Sequence, residues 1–350
     1  MRSFQRPQTL GFIPGDIVIL LARIDRALGT QTHAGDRQPK MLAALFASAR
    51  IESITASNAI EGVVVSPARS AALLAGTDNR LRNRSEAEFA GYSRAQDYLL
   101  HGDPGQLSIA LILHLHRLVY SHTDGGGGRF KIHDNVVVQA DENGDRQIQF
   151  TPTSASDTPY FVSELVERTN SSVKDGNIHP LVVIAASVLD LSCIHPFADG
   201  NGRVGRLVTS HLLTQAGYTV GQYVSLEQLI FESKADYYAS LSASTQGWFD
   251  DGRHSVWPWI RYFLARLDQA YSRFALLELG RATWGTKQDR VHEFVRAQVD
   301  AKFKMSDIRR ALPGVSDPTI RLVLAELKAQ GRIEHDGAGR SASWRLTEIR

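Results

Sequence analysis

The chain has 350 residues, 43% hydrophobic and 22% charged, enough for two or three domains with cores of their own. Its 39 Lys and Arg against 37 Asp and Glu leave a net charge of +2, which singles out no partner, and one cysteine, Cys193, excludes an intrachain disulfide. The start, MRSFQRPQTLGFIPG, lacks the apolar run of a signal peptide, and IVILLA at Ile17 to Ala22 is too short to span a bilayer and meets Arg23 at once. These features predict a cytoplasmic protein with no membrane association.

In chain order, Asp16 to about Gly102 reads as amphipathic helices, including Lys40 to Glu61 and Glu86 to Leu100, with a polar break at Gly29 to Pro39. Within it, IESITASNAIEG places Ser57 and Glu61 at i,i+4 on a helix that Gly62 ends as a cap. From Leu107 to about Leu277 the pattern is again helical, except at Asn135 to Pro152. There VVV and IQF flank Asp141-Glu142-Asn143-Gly144-Asp145, and Asn-Gly between β-prone runs predicts a hairpin. Leu181 to Ile194 is apolar almost all round, the pattern of a helix buried on every side, and Pro196 ends it. Cys193 is expected to pack in that helix as a small hydrophobe.

The next stretch, HPFADGNGRVGR from His195 to Arg206, concentrates the chemistry. His195 is a candidate base held at the end of a rigid element. The turn Asp199-Gly200-Asn201-Gly202 feeds a helix, and a glycine-rich turn at a helix N-terminus leaves backbone N–H groups pointing at an anion such as phosphate. Arg203 and Arg206 share a face of that helix and are expected to reach one polyphosphate. Asp199 beside such a cradle suits Mg²⁺, which is usually held by one or two carboxylates plus phosphate oxygens. Gly200, Gly202 and Gly205 also satisfy GxGxxG, but that pattern has force only after a strand, and the preceding segment is helical in character. No GxxxxGK[ST] occurs, so a P-loop is excluded.

HPFADGNGRVGR resembles the signature of the Fic family, HPFx[DE]GNGRxxR, at every fixed position. The resemblance implies a mainly helical Fic core with a β-hairpin flap, transferring AMP from ATP to a Ser, Thr or Tyr hydroxyl of a target protein or of itself. It implies His195 as the base and Asp199 as the Mg²⁺ ligand, with Gly200, Asn201 and Gly202 as anion hole. Arg203, Val204, Gly205 and Arg206 complete the nucleotide site, with the arginines on the outer phosphates. Ser57-Asn58-Ala59-Ile60-Glu61-Gly62 resembles the family's inhibitory motif, [ST]xxxE[GN], in which the glutamate pairs with the second signature arginine, here Arg206, and blocks the productive γ-phosphate pose. Tyr237-Tyr238 resembles the aromatic pair that closes over adenine, and is as readily a core pair. The flap implies a target segment docked by strand addition.

Past the core, Gln288 to Ala301 and Ser306 to Leu312 read as helices. Pro313-Gly314-Val315 turns into a third helix, begun at Ser316 or Asp317 with Pro318 at its first position and ended by Gly331. Arg332 to His335 and Ser341 to Leu346 then predict a short hairpin around Asp336-Gly337-Ala338-Gly339. Three helices and a hairpin resemble a winged helix-turn-helix. Lys287 to Arg350 has 13 Lys and Arg against 9 Asp and Glu, a mild surplus that suits DNA binding and protein docking or homodimerisation about equally.

The expected organisation is an N-terminal helical region with the inhibitory helix (1–105), a Fic catalytic core (106–280) and a winged-helix domain (281–350). The expected function is an autoinhibited protein adenylyltransferase. The alternatives are a DNA-binding regulator whose Fic core senses nucleotide, and a deAMPylase using the same site. The target, the modified residue type and the direction of reaction stay open.

Overall fold

Runs of apolar residues at helical spacing dominate the chain, and helices dominate the computed structural model. It describes residues 2–4, 12–37, 39–78, 80–140, 146–250, 253–282, 287–296, 302–312, 315–336 and 343–347. The chain divides into two compact units, Met1–Phe274 and Ala275–Arg350.

In the first unit, α1 (Gly15–Arg37) buries Ile17, Leu21 and Ile24. Where a polar break was expected at Gly29 to Pro39, the helix runs on through Gly29 to Arg37. A glycine inside a helix costs only about 1 kcal/mol, which burial of three large aliphatic side chains exceeds. Helix α2 (Pro39–Ile60) starts on a proline and buries Met41, Leu45, Ala49, Ser53, Ala56 and Ile60, a stripe spaced at one helical turn. Then come α3 (Pro67–Leu74), α4 (Arg84–His101), which packs on α2, and α5 (Ile109–Val119), which packs on α4. Strands β1 (Val137–Ala140) and β2 (Arg146–Phe150) form the antiparallel hairpin, with Val138 opposite Ile148. Its expected turn, Asp141 to Asp145, lies outside the described residues.

After α6 (Thr158–Asp175), α7 (Pro180–Ile194) runs through the middle of the unit between α6 and α8 (Asn201–Gln215). Thirteen of its fifteen residues are buried, as the all-round apolar pattern requires. Its one acid, Asp190, is accommodated because Ser3 Oγ and Trp248 Nε1 donate to its carboxylate at 2.5 and 2.7 Å, and burial pushes its pKa up to about 6. Cys193 is fully buried, and burial pushes its thiol well above the ordinary range. Helices α9 (Leu226–Glu232), packed on α2, α10 (Lys234–Thr245) and α11 (Trp257–Ala282) follow.

The second unit holds α12 (Lys287–Arg296), α13 (Met305–Ala311), α14 (Asp317–Ala329) and an antiparallel pair, β3 (Ile333–Asp336) with β4 (Ser343–Leu346). Val291, Val295, Phe303, Ile308, Ile320, Val323, Leu327 and Ile333 make its core. Ser316 occupies the cap position of α14 in extended conformation, with a proline in the first turn behind it. The expected continuation of α12 to Ala301, the Pro313-Gly314 turn and the hairpin tip from Gly337 lie outside the described residues. Among the described residues no helix is long and apolar enough to cross a membrane.

Candidate active site

Helix α7 delivers His195 from the core, and the proline after it forbids a further helical turn. His195 therefore takes a left-handed conformation, φ 49°, the one non-glycine residue with positive φ among the described residues. Such strain persists only where neighbours over-determine the backbone. The Ile194 carbonyl accepts from Thr153 Oγ1 at 3.0 Å and from the buried Lys131 Nζ at 3.3 Å, and the Pro196 carbonyl accepts from Lys131 N–H at 2.9 Å. The Phe197 carbonyl accepts from Asn135 Nδ2 at 3.0 Å and from Asn201 Nδ2 at 2.8 Å, while Asn201 Oδ1 takes the Phe197 N–H at 2.8 Å. Asn201 thus spends its side chain on the loop.

His195 Nδ1 lies 3.4 Å from the Ser192 carbonyl. That acceptor assigns the proton to Nδ1 and leaves the Nε2 lone pair free. Burial, with help from the Lys131 charge, pushes the His195 pKa down to about 4, against the upward pull of the Ser192 carbonyl, Glu61 and Asp199. The imidazole is neutral at neutral pH, the form a general base needs.

Helix α8 begins behind Gly200, whose φ of 80° and closeness to Tyr120, 2.7 Å from a would-be Cβ, admit no side chain. At Gly202 a Cβ would meet Glu61 Oε1 at 2.1 Å, so the Glu61 carboxylate sits directly over the first turn of α8. Free N–H groups and the helix dipole attract an anion there. Glu61 Oε1 is also 2.9 Å from Arg206 Nη2. The buried Arg206 donates Nε to Ser57 Oγ and Nη2 to the Ser57 carbonyl, both at 2.8 Å, while its Nη1 has no protein partner. Glu61, His195, Gly202, Arg206 and the Tyr237-Tyr238 pair line one cavity of about 990 Å³, with Val136 to Val138 and Phe150 of the hairpin on its wall. Tyr237 is buried against Trp259 and Tyr262, whereas Tyr238 is half-exposed beside Lys234, whose Nζ donates to the Ile60 carbonyl at 2.8 Å.

Arg203 goes elsewhere. Although it shares α8 with Arg206, it is fully buried, gives Nη1 to Glu88 Oε2 at 2.5 Å and Nη2 to Tyr120 OH at 2.7 Å, and does not line the cavity. Of the two arginines expected on one polyphosphate, Arg206 lines the cavity, while Arg203 is held by Glu88 on α4. Val204 points into the core, and Gly205 is at the cavity. The Asp199 carboxylate faces away as well, toward Arg84 and Tyr120 in a second cleft.

Residues 106–213 match the Fic/DOC family. This chain carries a Fic/DOC domain. It is similar to protein adenylyltransferase fic-1 of Caenorhabditis elegans, at 27% identity over 180 residues, half of this chain and 30% of that protein. It is also similar to protein adenylyltransferase Fic of Drosophila ananassae, at 34% over 114 residues, 32% of this chain and 21% of that one. The matches thus span under a third of these relatives' length. In fold it is similar to a Fic family protein from Desulfovibrio desulfuricans, with a TM-score of 0.64 at 23% identity over 97% of this chain and 98% of that one. A Fic domain containing signaling protein from Bacteroides thetaiotaomicron superposes with a TM-score of 0.61 at 20% identity, over 74% of this chain and 97% of its own.

The Fic/DOC domain supplies His195, its loop, the start of α8 and the hairpin, but it does not close the cavity alone. Ser57 and Glu61 come from before it and Tyr237 and Tyr238 from after it. Sequence reasoning missed a set of supports. His116 stacks on Phe197, accepts the Gly128 N–H at 2.9 Å and meets the Asp199 carbonyl through Nε2 at 3.2 Å. Burial pushes its pKa down to about 4, and that of Lys131 to about 8. Lys131, Asn135, Thr153, Tyr120, Glu88 and Arg84 carry no short motif. Their one signal is polarity beside apolar positions, which surface residues share.

No group of three or more His, Cys, Asp or Glu among the described residues could cage a metal. The Asp199 side chain is 61% exposed and offers a single carboxylate. As placed, bonded to the Gly200 N–H and Arg84 outside the cavity that Arg206 lines, that donor set does not fit Mg²⁺ bridged to a phosphate in the cavity.

Proposed function

We propose that this chain is a protein adenylyltransferase held in check by Glu61. The observation that carries the reading is the Glu61 carboxylate seated over Gly202 and bonded to Arg206: a protein anion rests where a nucleotide phosphate belongs. When ATP takes that place, Arg206 passes from Glu61 to the outer phosphates, and the N–H groups at the start of α8 face the phosphate charge. Neutral His195 accepts the proton of a target Ser, Thr or Tyr hydroxyl at Nε2. The hydroxyl oxygen bonds to the α-phosphorus as the bond to pyrophosphate breaks, so AMP joins the target and pyrophosphate leaves. Preorganised charge does most of the work in such a transfer. The target segment lies along the hairpin, whose Val136 to Val138 reach the cavity.

A second reading, removal of AMP by the same site, is favoured by one observation. The Glu61 side chain keeps 30% exposure within the cavity and can orient a water. For Ala275–Arg350 we infer a winged-helix docking module. Arg309 neutralises Asp317 at the start of α14 through a bidentate pair, 2.8 and 2.6 Å, removing the acid that would repel phosphate there.

The test is label transfer from α-labelled ATP with Mg²⁺ in wild type, Glu61→Gly and Glu61→Gly/His195→Ala. Label on protein in Glu61→Gly that vanishes without His195 supports the transferase. Loss of AMP from a modified target in wild type but not in Glu61→Gly supports removal instead. Tight ATP binding with neither reaction points to a sensor.

A further inference from the structure

Glu61 follows directly on the end of a helix, and whatever fixes that end decides where its carboxylate goes. The last four carbonyls of an α-helix have no partner within the helix. In α2 they belong to Ser57, Asn58, Ala59 and Ile60. The Asn58 carbonyl accepts the N–H of Glu61 at 3.1 Å and of Val63 at 2.9 Å, and the Ala59 carbonyl accepts that of Gly62 at 3.0 Å, so two of the four are satisfied locally. The other two meet cations from far along the chain: the Ser57 carbonyl accepts from Arg206 Nη2 and the Ile60 carbonyl from Lys234 Nζ, both at 2.8 Å. Arg206 is the cation that outer phosphates would draw off. We propose that Lys234 is the anchor of the inhibitory contact, a positioning residue that holds Glu61 over Gly202 by capping Ile60, its neighbour in the chain. The proposal rests on the inhibitory role given to Glu61 above.

The fold brings Lys234 to this point. Helix α9 packs on α2, Ser233 alone joins α9 to α10, and Lys234 is the first residue of α10. At the start of its own helix an ammonium is disfavoured by the helix dipole. At the end of α2 the dipole favours it, and it satisfies an orphan carbonyl as well. The Tyr238 ring, one turn further along α10, has its centroid 5.9 Å from Nζ and adds a weaker attraction. Without Lys234 the last peptide of α2 is free to fray, and Glu61 loses its fixed bearing on Gly202 and Arg206. Lys234 also lines the cavity, so a direct bond to a nucleotide phosphate is the rival role. The two roles differ in sign: loss of an anchor makes room for the outer phosphates, whereas loss of a phosphate ligand weakens their binding.

A cation on a part-buried helix end shifts an equilibrium by about two- to fivefold. The readout is the Kd of the full chain for α,β-methylene ATP, by calorimetry, beside that for AMP, which lacks the outer phosphates. Lys234→Met, of similar length but without a donor, is expected to tighten the analogue about two- to fivefold and to leave AMP unchanged. Lys234→Arg, which keeps a charged donor, stays at the wild-type value. In a Glu61→Gly background Lys234→Met should have no effect, because no carboxylate is left to place. Unchanged analogue binding in Lys234→Met overturns the proposal, and so does a tightening that persists in Glu61→Gly. Weaker binding in both backgrounds overturns it as well and makes Lys234 a phosphate ligand. Failure of the inhibitory role itself looks different: Glu61→Gly alone would then bind the analogue no more tightly than wild type, and the anchor would have nothing to hold.

Discussion

Arg203 and Arg206 leave α8 one turn apart, and each meets a glutamate from the helices before the Fic/DOC domain, yet the two regions around them are built for opposite ends. Glu88 and Arg203 are both buried, and among the described residues Glu88 is the one carboxylate within 3 Å of that guanidinium. Glu61 lies just past the end of α2 at a cavity, and Arg206 has two further bonds to Ser57 that do not depend on it. A buried pair is strongly missed when one partner goes, because the other charge is stranded. A half-open pair with a spare acceptor can be exchanged for a ligand. On the proposed function, one Glu–Arg pair is a foundation and the other a catch.

The largest expected effect breaks the first pair. Glu88→Gln strands Arg203 and frees Arg84 at its base, and should lower unfolding stability by about 3–5 kcal/mol, read by urea denaturation. A loss below about 1 kcal/mol would mean that Tyr120 and water hold Arg203 well enough, and the contrast between the pairs would collapse.

The second effect releases the catch. Glu61→Gly should raise AMP transfer about 5- to 150-fold, the usual span of a coupling between two sites. Its stability cost should stay under about 1 kcal/mol, since Arg206 keeps Ser57. Both quantities come from one preparation, by label transfer and by denaturation. A variant that unfolds like Glu88→Gln would show Glu61 to be structural.

Much of this arrangement was legible in the sequence, and the illegible part has a common cause. The all-round apolar run of α7, the proline after His195 and the β-prone stretches of the hairpin each act locally, and the structure has the corresponding elements. The polar stretch from Gly29 misled because its local polarity was weighed without the burial of Ile17, Leu21 and Ile24 on the same helix. The positions of Arg203 and Asp199 were illegible for a different reason. Which way a charged side chain turns depends on an acid or base more than a hundred residues away, here Glu88 and Arg84. Arg84 and Glu88 at i,i+4 read as an ordinary solvated pair, and nothing local distinguishes them from Arg168 and Glu164, which form such a pair on α6. Likewise, the protonation of His195 was not legible in the sequence, because burial, the deciding influence, is a property of the fold.

The smallest expected effect sharpens the contrast between the pairs through that histidine. His195 has a pKa near 4, and Glu61 is among the groups holding it up. A base acts only when neutral, so in an active variant the transfer rate should be flat from about pH 8 to pH 5 and fall about tenfold per unit below the His195 pKa. Removing Glu61 takes away a negative charge that favours the imidazolium, so Glu61→Gly should titrate lower than wild type, by a fraction of a unit given the half-open cavity. Glu88 is not among the groups that move His195, so a Glu88 variant that still folds should leave the titration where it was. Following the His195 ring protons by NMR against pH in the three proteins measures this without any need for a target. No movement in Glu61→Gly would place the carboxylate outside electrostatic reach of the base.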